Sequence, residues 1–107
     1  KMNLKQLTAQ GRRNCIDSFA KLLEEAMPEI IRRCEEASSK GKTSMKVYFT
    51  EIFPLNSCNL AVDVVCRFSK DPYFLEKLSA KSQTLVNMGG RISFEMCPYM
   101  VCVSWDE

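Results

Sequence analysis

Six cysteines, Cys15, Cys34, Cys58, Cys66, Cys97 and Cys102, are the most reactive side chains of this sequence, and no histidine accompanies them. Catalysis through a cysteine or serine nucleophile normally relies on an imidazole base. Without one, a Ser–Lys pair or a pair of carboxylates remains. Asp17, Glu24, Glu35 and Glu36 read as solvent-facing helix charges, and carboxylates on adjacent helical residues do not face one site. The chain is therefore read as non-catalytic.

Metal chemistry has one opening. No Cys-x-x-Cys occurs, but Cys97 and Cys102 stand close in sequence, and Cys66 comes near them if the second and fourth predicted strands pair. Three thiolates suit zinc. No fourth ligand is evident, so these residues are read as buried thiols on sheet faces, and no metal or cofactor is expected. The run Ser39-Lys40-Gly41-Lys42-Thr43 contains Gly-Lys-Thr but lacks the first glycine of a phosphate loop, since position 36 is Glu. It also follows a helical pattern and opens a strand, the reverse of what phosphate binding at a helix start needs. It reads as a basic connector.

Two surfaces suit recognition. Arg12, Arg13, Arg32, Arg33, Lys40, Lys42 and Lys46 gather the basic charge. If two N-terminal helices pack antiparallel, both arginine pairs share a face with the connector, and Tyr48 stands ready to stack a base. Glu29, Glu35 and Glu36 dilute that field. The C-terminal segment Tyr99–Trp105 is apolar on both sides, with Val101, Val103 and Trp105 on one and Met100 and Cys102 on the other. A small sheet covered on one face would leave part of this surface open to a partner.

The background supports a modest, single-domain protein. The chain has 107 residues, 46% hydrophobic and 26% charged, enough for one core and too few for two. Lys plus Arg is 15 against 13 for Asp plus Glu. Residues 1–43 hold 9 basic and 6 acidic side chains (+3), and residues 44–107 hold 6 and 7 (−1). A dedicated polyanion binder usually carries a stronger excess. No apolar run approaches the ~20 residues of a membrane span. The cysteines are scattered through periodic apolar segments, not clustered in loops, so they read as reduced and mostly buried, which suits the cytoplasm or nucleus.

The elements follow from periodicity. Leu4, Leu7, Cys15, Phe19, Leu22, Leu23, Ala26 and Met27 recur at helical spacing, with Thr8 as a candidate N-cap. Pro28 interrupts, yet Ile30, Ile31, Cys34 and Ala37 keep the phase. One kinked helix or two helices satisfy this, and a break near Met27 is preferred because an interior proline costs ~3 kcal/mol. Gly41 caps the end. Met45, Val47 and Phe49 alternate as a strand; Leu60, Val62, Val64, Cys66 and Phe68 alternate as a second, expected to pair with the first. Asp71-Pro72 opens a helix that Gly89-Gly90 stops. Ile92, Phe94 and Met96 form a third strand. A one-residue slip at Cys97-Pro98 then calls for a turn or a bulge, a hairpin turn being preferred.

The expectation is one α+β domain over 1–107, in the order α(α)ββαββ, with an antiparallel sheet and helices mainly on one face. The expected function is a small intracellular protein-binding module. It would be an adaptor or inhibitor that occupies a partner protein or a second copy of itself, through Tyr48, Met100, Cys102 and Trp105, with the Arg12/Arg13 and Arg32/Arg33 pairs available for acidic partners. The alternative is a nucleic-acid binder using the basic residues. No membrane is involved in either.

Overall fold

The computed structural model describes residues 3–106. The chain folds as α+β: helix α1 (Leu4–Ser39), strand β1 (Ser44–Tyr48), a short helix α2 (Phe49–Ile52), a 3₁₀ turn (Leu55–Ser57), helices α3 (Cys58–Phe68), α4 (Pro72–Lys81) and α5 (Gln83–Asn87), then strands β2 (Arg91–Glu95) and β3 (Met100–Ser104). The order differs from α(α)ββαββ in one respect that matters: the second predicted strand is a helix.

α1 is a single helix of 36 residues, about 54 Å long. It sets the long axis of a body measuring 56 × 27 × 21 Å. Its cap is Asn3, not Thr8: Asn3 Oδ1 accepts from the Gln6 amide at 2.9 Å, and the Asn3 amide donates to Gln6 Oε1 at 2.8 Å. Pro28 lies inside the helix, so the expected break near Met27 is corrected. Ile16, Phe19, Leu23, Met27, Ile30 and Cys34 are buried along one continuous stripe. At roughly 1.5–3 kcal/mol for each fully buried large aliphatic side chain, that stripe outweighs the ~3 kcal/mol proline penalty. Gly41 ends the helix as expected, at φ 80°. The Gly41 amide donates to Ser38 O and the Lys42 amide to Ala37 O, which satisfies two terminal carbonyls.

α3 replaces the predicted strand over 60–68. The alternation of Leu60, Val62, Val64, Cys66 and Phe68 is real, but Ala61, Val64, Val65 and Phe68 also fall at i, i+3, i+4 and i+7. It is this second set that packs inward, with Ala61, Val64 and Val65 fully buried and Phe68 half-buried. The helix penalty of valine is only a few tenths of a kcal/mol per residue, so burial against α1 decides. An Asp63–Arg67 pair at 3.1 Å adds support one turn apart on the exposed side.

The sheet therefore has three strands in the order β1-β3-β2, both pairings antiparallel. β1 pairs with β3, across a crossover containing the shorter helices. β2 and β3 form a hairpin closed by Met96–Tyr99, with Glu95 opposite Met100, as the phase slip suggested. Within that turn Cys97 sits at φ 59° before a cis bond to Pro98. Met45, Val47, Val101 and Val103 point into the core. There, Phe19 contacts Phe53, Phe74 and Phe94, with ring centroids 5.7–5.9 Å apart. The opposite sheet face carries Ser44, Lys46 and Tyr48, Arg91, Ser93 and Glu95, all exposed, with Met100 half-buried and Cys102 buried among them.

α4 has the expected start: Asp71 Oδ1 accepts from the Tyr73 amide, and Pro72 follows. It stops earlier than expected, at Lys81. Ser82, buried, turns its hydroxyl onto Leu78 O at 2.7 Å and separates α4 from α5.

Candidate functional site

The clearest concavity lies where the end of α1, the α5–β2 turn and the end of β3 meet. It is a cleft of about 290 Å³. Cys34 and Leu85 form its floor, Met88 and Trp105 its apolar walls, and Glu35, Ser38 and Ser39 a polar rim. Trp105 follows the inward phase of Val101 and Val103, and its amide donates to Thr43 O at 2.9 Å, which fixes the indole at the sheet's end. Gly90 closes the back: a Cβ there would stand 3.0 Å from Leu85 Cγ and 3.2 Å from Val103 Cγ1, so only glycine lets the turn lie this close.

The cleft is chemically quiet. Burial, with Glu35 adding to it, pushes the Cys34 thiol up to about 11, so it stays protonated and acts as a wall. Glu35 makes no ion pair among the described residues, whereas its neighbour Glu36 binds Arg32 and Lys40. One free carboxylate thus stands beside an apolar slot.

The basic residues divide. Arg32, Arg33, Lys40, Lys42 and Lys46 line one groove of about 420 Å³ between α1 and β1. Arg12 and Arg13 are not with them. On one straight helix, twenty residues separate the arginine pairs by about 30 Å, so the shared face expected from two antiparallel helices does not form. Arg12 Nε lies 3.2 Å from Asp71 Oδ2, an ion pair whose N–H is not aimed at the oxygen and finds no hydrogen-bond acceptor. Arg13 stands over the Tyr73 ring at 5.6 Å. Both hold α4 against α1. Asp17 and Glu24, read as solvent-facing, do the same through Tyr73, Lys77 and Lys81.

The groove's charge is mostly met within the chain. Glu29 accepts from Arg32 and Arg33, and these hydrogen bonds, Arg32's first, hold its carboxyl down at about 2. Arg33 also donates to Glu51 at 2.7 Å, and Lys46 to Glu95 at 2.6 Å. Among the described residues, Lys42 alone of the five has no carboxylate partner.

The expected interface residues also divide. Tyr48, exposed, and Met100 lie side by side on the open sheet face. Cys102 shares that face, yet the Lys46–Glu95 pair reaches across from the two edge strands and covers it. Its thiol is raised by burial first and by Glu95 next. Trp105 belongs to the other face and to the cleft. Leu85, Met88 and Gly90 carry no site signal in the sequence, where Leu85 is one more apolar helix position and Gly89-Gly90 a helix stop.

All six cysteines are free, but the reading of them as mostly buried is corrected: Cys34 and Cys102 are buried, Cys15 and Cys58 half-buried, and Cys66 and Cys97 exposed. Cys66 sits on α3, not on a sheet face, and so does not join Cys102. No helix among the described residues is long and apolar enough to cross a membrane. Comparison with protein-family models, curated proteins and solved structures finds no match.

Proposed function

We propose that this chain is a small, non-catalytic protein-binding module whose Trp105 cleft captures one apolar side chain of a partner segment. The observation that carries this is the cleft itself: Leu85, Met88, Cys34 and Trp105 surround a space of about 290 Å³, rimmed by Ser38, Ser39 and the unpaired Glu35. Interface energy concentrates where an apolar anchor fills a desolvated pocket inside a polar rim. The free Glu35 carboxylate selects the occupant further, favouring a segment with Lys or Arg next to its apolar anchor. An adaptor or an inhibitor would act through such a site. Six free thiols fit a reducing compartment, the cytoplasm or nucleus.

Trp105 is the only tryptophan, so its emission reports on the cleft directly. Panning a random displayed peptide library against the protein should enrich an apolar residue flanked by a basic one. Synthetic versions of those peptides should shift Trp105 emission saturably, and Met88→Glu should abolish the shift while the circular dichroism stays unchanged. Enriched peptides that bind Met88→Glu as tightly as the parent would overturn the reading. So would peptides lost instead on Met100→Glu, which would move recognition to the open sheet face, where a second copy could also dock.

A nucleic-acid reading is favoured by one observation, the convergence of five basic side chains on the second groove. Four carboxylates, Glu29, Glu36, Glu51 and Glu95, already occupy four of the five, Arg32, Arg33, Lys40 and Lys46. Binding of a single-stranded oligonucleotide that weakens steeply with salt and disappears in Lys42→Ala/Arg33→Ala would put this reading first.

A further inference from the structure

At the end of the sheet opposite Trp105, Cys66 and Met96 meet at the surface, and Cys97 follows Met96 in the chain. Cys66 lies in the last turn of α3, and Met96 and Cys97 begin the β2–β3 turn. Cys66 Sγ stands 3.4 Å from Met96 Sδ and 3.6 Å from the Tyr99 hydroxyl. Met96 is 53% exposed, unusual for a residue whose phase along β2 continues Ile92 and Phe94 inward. Both thiols are exposed as well. The core neither needs nor covers these side chains, yet α3 and the hairpin turn bring Cys66 against Met96 and Tyr99, with Cys97 near enough to act on the Tyr99 hydroxyl.

We propose that Cys66, Met96 and Cys97 form a surface site for a soft monovalent metal ion, copper(I). The donor set selects the class. Thiolate and thioether sulfurs favour copper(I), whereas zinc prefers a closed set of four Cys, His or carboxylate ligands. Among the described residues no three of His, Cys, Asp and Glu come together, so such a set is not built here. Two cysteines and a methionine, with no histidine or carboxylate among them, meet copper(I)'s need for few, polarizable ligands. Binding releases the Cys66 and Cys97 protons to solvent as the two thiolates coordinate, and the metal keeps its oxidation state. Tyr99 then serves as a hydrogen-bond donor to the Cys66 sulfur, holding the ligand's orientation.

The site is independent of the Trp105 cleft, since the length of β3 lies between them. The test is an anaerobic titration of the reduced protein with the copper(I)–bicinchoninate complex, following loss of the chelator's colour. One equivalent of copper should pass to each chain. Outer-sphere changes at metal sites typically cost about 10–100-fold in affinity. Cys66→Ser or Cys97→Ser should cost at least that much, Met96→Leu less, and Cys15→Ser nothing. All three altered side chains are exposed, so the variants should fold, which circular dichroism checks. X-ray absorption of the loaded protein should show sulfur ligands only. The proposal fails if the protein takes no copper from bicinchoninate. It fails equally if Cys66→Ser/Cys97→Ser binds like the parent, or if zinc(II) displaces the bound copper.

Discussion

The Tyr73 hydroxyl donates a 2.6 Å hydrogen bond to Asp17 Oδ1, tying the first turn of α4 to a residue 56 positions earlier on α1. Lys77 approaches the same carboxylate at 3.7 Å, and Arg13 and Lys77 flank the Tyr73 ring. This polar seam runs beside the apolar contact of Phe19 with Phe74 and decides how α4 lies on α1.

That bond carries an alkaline signature. The hydrogen bond to Asp17, then burial, raise the Tyr73 hydroxyl above its ordinary value of 10.0. A raised folded value means the contribution is complete below the unfolded pKa near 10 and is lost as pH rises through the higher folded one. Tyr73→Phe should lower the urea midpoint at pH 8, and the gap from the parent should close on titrating above pH ~10. A gap that stays constant with pH would show the hydroxyl is not held this way.

Acid works on the other end of α1. Glu29 is lowered from 4.5 to about 2 by Arg32 and Arg33. A depressed folded value means its contribution is full above 4.5 and is lost as pH falls towards 2. Urea midpoints measured across that interval should fall less steeply in Glu29→Gln than in the parent. Because the cluster is open to solvent, added salt should shrink the difference.

Pro28 tests the continuity of α1. The ring is exposed and removes the N–H that would reach Glu24 O. Pro28→Ala should restore that bond, offset in part by a more flexible unfolded chain. A net gain of about 1–3 kcal/mol in urea unfolding is expected. A loss of stability would mean that two helices meet at this point.

Gly90 tests the back of the cleft. Its φ is not in the left-handed region, so the objection to a side chain is purely steric, with Leu85 Cγ 3.0 Å from an added Cβ. Gly90→Ala should destabilise by about 1–3 kcal/mol through overpacking. It should also move Trp105 emission, because Leu85 lines the cleft together with Trp105. Unchanged emission and stability would mean the turn is loose.

Much of the local structure was legible in the residues. The Gly41 cap, the Asp71-Pro72 helix start and the slip at Cys97 each report a backbone preference acting over a few positions, and each appears where the residues put it; the alternation of Met45 and Val47 holds too, but β1 ends at Tyr48 and Phe49 opens α2. The basic connector was legible too, because charge shows in residue type. What was not legible is where those charges go: Arg13, Asp17 and Glu24 are exposed, as helix-surface charges should be, yet with Arg12 they pair with Asp71, Tyr73, Lys77 and Lys81 of α4 and its cap.

By itself, then, the amino-acid order determined the α+β class, the Gly41 end of α1, the Asp71-Pro72 start of α4 and the absence of an imidazole, since these depend on each residue's own chemistry and near neighbours. Whether 58–68 became strand or helix, and whether α1 broke at Pro28, were settled only by tertiary packing. In both segments two periodicities or two backbone paths lay within a few kcal/mol, and burial against distant residues supplied the difference. The Trp105 cleft and the Cys66–Met96–Cys97 cluster belong to the same category, because each joins side chains far apart in the chain that share a location only once the sheet order β1-β3-β2 exists.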